Sequence, residues 1–272
     1  MKKLSLREIQ LEELEMLKKT VDFLNKNGIK YFLYAGTLLG AVRHNGFIPW
    51  DDDIDICILR DDYDKLINIL KENNKITDNY EAIAIELNNS SYPIGKVINK
   101  KIKINSKSKL DKYLWIDIFP IDGVPDDIQI QKKINRKIKI YMVLFYLHMT
   151  PFREILKENK SAKNKLVKIC LKPFSMLVTS LHCGKKLQSI TKKYCSLDNN
   201  LVATVSWGDC LKESYPKKVY MESIDGKFED NIFNIPKDYD CFLSTVYGDY
   251  MILPKEEDRL THYVEAYVDE EE

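Results

Sequence analysis

The chain has 272 residues, enough for one large domain or two small ones and for a substantial core. Lys and Arg number 42 against 41 Asp and Glu, a formal net charge of +1, so no global field of either sign draws the protein to nucleic acid or acidic lipid. The six cysteines (Cys57, Cys170, Cys183, Cys195, Cys210, Cys241) form no C-x-x-C pair, which argues against a zinc knuckle or thioredoxin-like motif and predicts reduced, mostly buried thiols.

Ser5 and Glu8 make a capping box ahead of Leu14, Leu17, Val21 and Leu24, whose three- and four-residue spacing marks one apolar helix face, and Asn27-Gly28 stops that helix. Charges interrupt residues 4–24, so the lysines after Met1 introduce no signal peptide. Residues 29–34 read as a short strand, Gly36-Thr37 as a turn, and 38–44 as a short helix ended by Asn45-Gly46. Residues 51–59 alternate acid with aliphatic at period two, as a strand with one functional face would. Asp61 or Asp62 stands where it can cap an amphipathic helix carrying Tyr63, Leu66, Ile67 and Leu70.

Further strands are expected at 80–87, 94–104 and 114–119, completing an α/β core over 28–122. From 126 to 194 the pattern turns helical and lysine-rich, broken at Pro151 and Pro173, which predicts a helical subdomain over 123–200 laid beside the sheet as a bundle or lid. Its longest apolar run, 138–149, is too short to span a bilayer. A hairpin is expected at 219–235 with its turn at Asp225-Gly226, then a helix from about Asp238 and a frayed acidic tail, so that 201–272 returns to the core. The expectation is one catalytic domain over 1–272, of α/β (α+β) class, in the cytoplasm. Lysines clustered in 96–112 and 132–193 make either a solvated face or a peripheral contact for a lipid-linked or polyanionic acceptor at the inner face of the membrane.

The strongest local signal is Trp50-Asp51-Asp52-Asp53-Ile54-Asp55-Ile56. In a strand Asp51, Asp53 and Asp55 share one face, and their repulsion is relieved by a hard divalent cation. Mg2+ typically takes one or two protein carboxylates and completes its shell with water and phosphate oxygens. An EF-hand loop is set aside because the sixth position is Ile56 where glycine is needed and the twelfth is Asp62; an acidic turn with a solvated helix cap remains open. Gly36-Thr37, at a strand-to-helix junction, offers free N–H groups and a hydroxyl to a phosphate. Asp117, alone in the apolar run Trp115-Ile116-Asp117-Ile118-Phe119, needs a partner, which a metal shared with Asp53 and Asp55 would be; it could also accept a proton from an attacking hydroxyl. A glycine-led helix, a D-x-D strand and a third acid on a neighbouring strand together resemble the nucleotidyltransferase fold.

The run Tyr34-Ala35-Gly36-Thr37-Leu38-Leu39-Gly40-Ala41-Val42-Arg43-His44, continuing through Gly46-Phe47-Ile48-Pro49-Trp50 into the acids, resembles the signature of the LicD family, the fukutin-related phosphocholine transferases. Residues 115–123, 239–243, Tyr247-Gly248-Asp249-Tyr250-Met251, Leu253-Pro254, Arg259 and His262 are similar to that family's later blocks, whereas 125–206 carries little resemblance. The resemblance implies a nucleotidyltransferase-like mixed-sheet core that uses CDP-choline or a related CDP-alcohol to decorate a glycan or lipid-linked saccharide, with CMP released. Mg2+, or Mn2+ in its place, would then sit on Asp53, Asp55 and Asp117, with Asp117 orienting or deprotonating the acceptor. Gly36, Thr37, Arg43 and Lys96 would contact the donor phosphates, Arg43 as a fork and Lys96 as a point charge, unless the last two are surface residues. Trp50, Trp115, Trp207, Tyr247 and Tyr250 are the candidates for an aromatic cage around a quaternary ammonium. A nucleotidyltransferase releasing pyrophosphate and a non-catalytic nucleotide- or glycan-binding protein are the competing readings.

Overall fold

The computed structural model describes residues 1–106, 108, 110–157, 162–259 and 265–269. In chain order the elements are β1 (Lys2–Lys3), α1 (Leu6–Lys26), β2 (Phe32–Leu33), α2 (Ala35–His44), β3 (Asp55–Leu59), α3 (Arg60–Leu70), β4 (Tyr80–Ile83), β5 (Gly95–Asn105) and β6 (Tyr113–Val124). There follow α4 (Ile128–Met149), α5 (Phe152–Lys157), α6 (Ala162–Met176), α7 (Ser180–Tyr194), β7 (Leu201–Ala203), β8 (Tyr215–Pro216), β9 (Ser223–Phe228), β10 (Asn231–Pro236), α8 (Tyr239–Tyr247) and β11 (Glu265–Val268).

The fold is the mixed α/β arrangement expected. One sheet carries the order β1-β11-β5-β6-β3-β2, with β4 added to β5 and β7 and β8 added to β6. Among the described residues only β3 and β6 run parallel in this sheet; its remaining ladders are antiparallel. The capping box forms as expected, with the Ser5 hydroxyl accepting the Glu8 N–H and the Glu8 carboxylate accepting the Ser5 N–H at 2.7 Å. That fixes where α1 begins, and its buried stripe of Leu14, Leu17, Val21 and Leu24 then packs into the main core beside β5 and β6. A smaller core of Val124, Ile134, Ile138, Leu187, Ile190 and Val205 ties α4 and α7 to the end of β6.

Six expectations are corrected. The acidic strand begins only at Asp55, so Asp51 and Asp53 lie in the loop that enters it, and the strand expected at 29–34 shortens to Phe32–Leu33 because β2 finds ladder partners only at Ile56 and Cys57. Neither Asp61 nor Asp62 caps α3, whose N-cap is Leu59 without a side-chain bond; the acids fall inside the first turn, where they still favour the helix dipole. Pro173 does not break its helix, since it lies in the last turn of α6, where Lys172 donates to the Leu147 and Thr150 carbonyls and Ser175 to the Lys172 carbonyl. The hairpin turns at Glu229, not at Asp225-Gly226; Gly226 sits within β9, where a Cβ would stand 2.5 Å from Cγ2 of Ile235, so its glycine serves close packing. Finally the tail is not wholly frayed, because β11 pairs with β5 on one side and β1 on the other.

The junction between α3 and β6 is held by a buried ion pair in which Arg60 Nε and Nη2 donate to the two carboxylate oxygens of Asp122 at 2.7 and 3.0 Å. Removing one member strands the other charge in the core. Asp122→Ala should therefore lose about 3–5 kcal/mol in urea unfolding, whereas a paired Arg60→Met, Asp122→Leu replacement should lose markedly less.

Candidate active site

Strand register brings the chemistry together. In the parallel β3–β6 ladder Asp55 stands opposite Asp117, and in the antiparallel β5–β6 ladder Lys96 stands opposite the same Asp117. These three line a cavity of about 1260 Å³ together with Asp51, Asp53, Gly36, Arg43 and Arg259. Asp51 and Asp53 thus share a side with Asp55 even though a loop, not a strand, presents them. Asp52 is buried and points elsewhere.

Thr37 lies buried beneath this floor, its hydroxyl accepting the Asp55 N–H at 2.8 Å. It fixes the first residue of β3 and does not line the cavity, so its hydroxyl supports Asp55 from below. Gly36 does line it, and a Cβ there would meet Asp51 Oδ2 at 2.8 Å. The Asp51 carboxylate therefore rests against the first turn of α2, at the positive end of the helix.

Asp117 has the partner its apolar strand requires, and that partner is Lys96. The Lys96 ammonium lies 3.0 Å from Asp117 Oδ1 and 3.7 Å from Asp111 Oδ1, while Trp115 Nε1 donates to Asp117 Oδ2 at 3.1 Å. It is also sandwiched between the rings of Tyr92 and Trp115, 4.5 and 4.1 Å from their centroids. Lys96 is buried, not a surface lysine. Arg43 reaches the cavity from the last turn of α2 and donates from Nη1 to the Tyr250 carbonyl at 2.6 Å, which joins α2 to the segment after α8. Burial lowers the pKa of Arg43 and, with the Arg43 charge, that of His44. His44 itself does not line the cavity and stands edge-on to Trp50. Arg259 covers the other side of the mouth with its guanidinium 4.3 Å from the Trp50 centroid and 3.7 Å from Glu256. His262 lies outside the described residues.

Burial, reinforced by Asp53, Asp117 and Asp51, drives the Asp55 pKa well above the ordinary aspartate value against the opposing pull of Lys96. Burial also raises the Tyr247 phenol, and pushes the Tyr146 phenol up to about 12. Among the described residues no group of three or more His, Cys, Asp or Glu side chains is gathered closely enough to hold a metal unaided. Of the carboxylate trio expected for a cation, Asp117 is paired with Lys96, Asp55 stands beside it in the β3–β6 ladder, and Asp53 lines the same cavity.

Several lining residues escaped the sequence. Asp111 and Tyr92 are joined by a 2.8 Å hydrogen bond, and Lys139, Tyr146, Asp209 and Glu213 come from the helical segment and the loop after β7. No local pattern marks them, since long-range packing alone gathers them at the cavity. Asp249 also lines it, and sits within the Tyr247 to Met251 block. All five aromatic candidates, Trp50, Trp115, Trp207, Tyr247 and Tyr250, face the cavity, but the Trp50 and Trp115 faces are already engaged by Arg259 and Lys96.

A glycine-led helix beside carboxylates on adjacent parallel strands defines a nucleotidyltransferase-type domain, and the family model described as LicD/FKTN/FKRP, nucleotidyltransferase domain, matches residues 28–156. The lipopolysaccharide cholinephosphotransferase LicD of Haemophilus influenzae is 32% identical over 271 residues, covering 98% of this chain and 100% of that protein. The chain belongs to the LicD family. An uncharacterized Rickettsia prowazekii protein is 39% identical over 114 residues, 41% of this chain and 40% of that one. The human ribitol 5-phosphate transferase FKRP is 44% identical over 48 residues, 18% of this chain and 10% of its own.

Beneath the acidic loop, Glu13 of α1 is buried with Oε2 lacking a hydrogen bond, and burial followed by repulsion from Asp53 and Asp52 raises its pKa well above 4.5. A folded-state pKa above the unfolded one means that the native protein holds the extra proton, so stability is greatest at low pH and declines as pH rises past the ordinary glutamate value. In divalent-free buffer the melting temperature should fall between pH 5 and pH 8, and Glu13→Gln should flatten that slope, as followed by circular dichroism.

Proposed function

We propose that the protein transfers a phospho-alcohol, phosphocholine from CDP-choline in the first place, to a hydroxyl of a cell-surface glycan precursor, releasing CMP. The observation that carries this reading is the gathering of Asp53, Asp55 and Asp117 with Lys96 and Arg43 in one cavity of a chain similar throughout its length to a lipopolysaccharide cholinephosphotransferase. A lipopolysaccharide precursor is the first acceptor to test, with teichoic acid and capsule precursors next. At about 1260 Å³ the cavity exceeds the ~300–1,000 Å³ of an ordinary small-ligand site, which leaves room for donor and acceptor together. A CDP-linked donor points to the cytoplasm as the place of reaction.

Asp53 and Asp55 fit a hard cation, because Asp55 is buried among like charges that a divalent ion would relieve, and a pair of carboxylates is what Mg2+ takes before phosphate oxygens complete its shell. Mg2+, or Mn2+ in its place, would supply neutralisation of the donor diphosphate. Arg43 would grip a phosphate oxygen through its remaining donors, and Gly36 leaves its peptide uncovered on the cavity side. Asp117, oriented by Lys96 and by the Trp115 indole, would accept the proton of the acceptor hydroxyl as its oxygen attacks the distal phosphorus in line. The bond from that phosphorus to the bridging oxygen breaks, and CMP leaves with the electron pair.

Because Trp50 and Trp115 are engaged, the ammonium of choline is better served by Trp207 and Tyr146, whose rings lie 5.7 Å apart on the far side of the cavity, together with Tyr247 and Tyr250. The deciding assay incubates the protein with Mg2+ and CDP-choline, CDP-ribitol, CDP-glycerol or CDP-ethanolamine, with and without glycan extract, and quantifies CMP and pyrophosphate. Metal-dependent CMP release, greatest with CDP-choline, is expected; pyrophosphate release or equal turnover of CDP-choline and CDP-glycerol would overturn the respective assignment. Asp53→Asn and Asp55→Asn should abolish turnover, and Asp117→Asn should slow it by roughly 10^2 to 10^4 with little change in donor affinity.

Because Asp55 carries a raised pKa in the metal-free protein, Mg2+ binding should also release a proton. Calorimetric heats at pH 6.5 should then differ between phosphate and Tris buffers for the native protein and coincide for Asp55→Asn. Equal heats in the native protein would remove Asp55 from the metal site.

A further inference from the structure

Among the described residues, the helical segment carries an apolar face that is exposed to solvent. On α6 and the residue after it, Leu166, Cys170, Phe174 and Leu177 recur at four, four and three residues, which is one side of a helix, and that side faces outward. Leu166 is 62% exposed, Phe174 61% and Leu177 82%. On neighbouring α5, Phe152 and Leu156 extend the patch, both about half exposed. The cationic side of α6 is turned the other way: Lys168 and Lys172 are only partly exposed, and Lys172 caps the carbonyls at the end of α4. A surface helix in water normally shows the reverse arrangement.

We propose that this face docks on an anionic lipid bilayer. Two observations favour lipid over a protein partner or a second copy. The patch sits in the most one-sided stretch of the chain, for residues 150–194 hold eleven Lys and Arg against two Glu, although the whole protein is nearly neutral. Exposed Lys185 and Lys186 on α7, the helix that follows α6, add to that charge, and an apolar stripe with nearby basic sequence is the combination that binds acidic headgroups and acyl chains at once. In addition, no single helix among the described residues is long and apolar enough to cross a membrane, and although α6 and α7 are together long and apolar enough, they meet at 95° and α7 packs on α4, which suits a face lying in the interface. One consequence rests on the proposed function: α4 lines the cavity with Met142 and Tyr146 and packs on α6, so a bilayer-anchored acceptor would be held one helix away from the acids.

The test is flotation of the full-length protein with phosphatidylglycerol-containing vesicles and with pure phosphatidylcholine vesicles, which needs no turnover and stands whether or not the transfer reaction is correct. Binding to the anionic vesicles is expected, with at least tenfold weaker binding for Phe174→Glu combined with Leu177→Glu and for Lys185→Glu combined with Lys186→Glu. All these positions are solvent-facing, and melting curves should match the native protein. Absence of vesicle binding, or binding unchanged by the apolar pair of substitutions, would overturn the proposal. So would a native dimer in analytical ultracentrifugation that Phe174→Glu and Leu177→Glu dissociate while lipid binding is absent, since the face would then be a subunit interface.

Discussion

Asp55 is buried within reach of Asp51, Asp53 and Asp117, and much of the surrounding architecture keeps those like charges in place. Two unit charges 4 Å apart repel by about 4 kcal/mol at an effective dielectric near 20, so such a cluster does not persist by accident of packing. Rigid backbone holds it: the β3–β6 register fixes Asp55 against Asp117, and Thr37 pins the N–H at which β3 begins. Helix α2 supports the loop from the other side, where the absent side chain of Gly36 leaves room for the Asp51 carboxylate. Burial and these neighbours favour the protonated form of Asp55, so on the proposed reading a divalent cation would take the place of a proton there.

Charge on the opposite wall is handled differently. Lys96 is a buried cation that satisfies Asp117, approaches Asp111 and stacks between two aromatic rings, so its position is set by Trp115 and Asp117 of β6, Asp111 just before that strand and Tyr92 just before β5. A lysine held that firmly acts less as a mobile clamp than as the element that orients one carboxylate apart from the rest of the acidic floor. On the proposed reading Asp53 and Asp55 would serve the cation and Asp117 the acceptor, much as environment separates the roles of paired acids in other enzymes.

The sequence was most legible where structure is decided locally. The capping box at Ser5 and Glu8, the stop at Asn27-Gly28 and the short helix ending at Asn45 all follow from side chains meeting their own backbone within a turn. It was least legible where distant segments decide. Alternation at Asp51 and Asp53 arises from a loop lining a cavity and not from a ladder, β11 exists only because β5 offers it an edge, and Gly226 answers to Ile235 across a hairpin. Asp53, Asp55 and Asp117 could be singled out from spacing and from the cost of a lone buried acid, whereas the Lys96 pairing and the Tyr92–Asp111 bond needed the ladder register and the loop before β6.

The aromatic lining shows how the protein's own cations constrain its choice of ligand. A ring face already covered by Arg259 or Lys96 has little left to offer a quaternary ammonium, which cannot donate a hydrogen bond and depends on such faces for about 0.5–2 kcal/mol each. Around Trp50 and Trp115, therefore, the cavity is electropositive at its aromatic surfaces and suits phosphate. The cluster of Tyr92, Tyr146 and Trp207 lies against Phe145 of α4, with Lys96 at Tyr92 beside it. The two ends of a phospho-alcohol donor would accordingly be read by different parts of the molecule: the phosphates by the sheet and α2, the alcohol by α4 and the loop after β7. On that reading, variation in α4 would change the alcohol without disturbing the carboxylates proposed to act in the transfer.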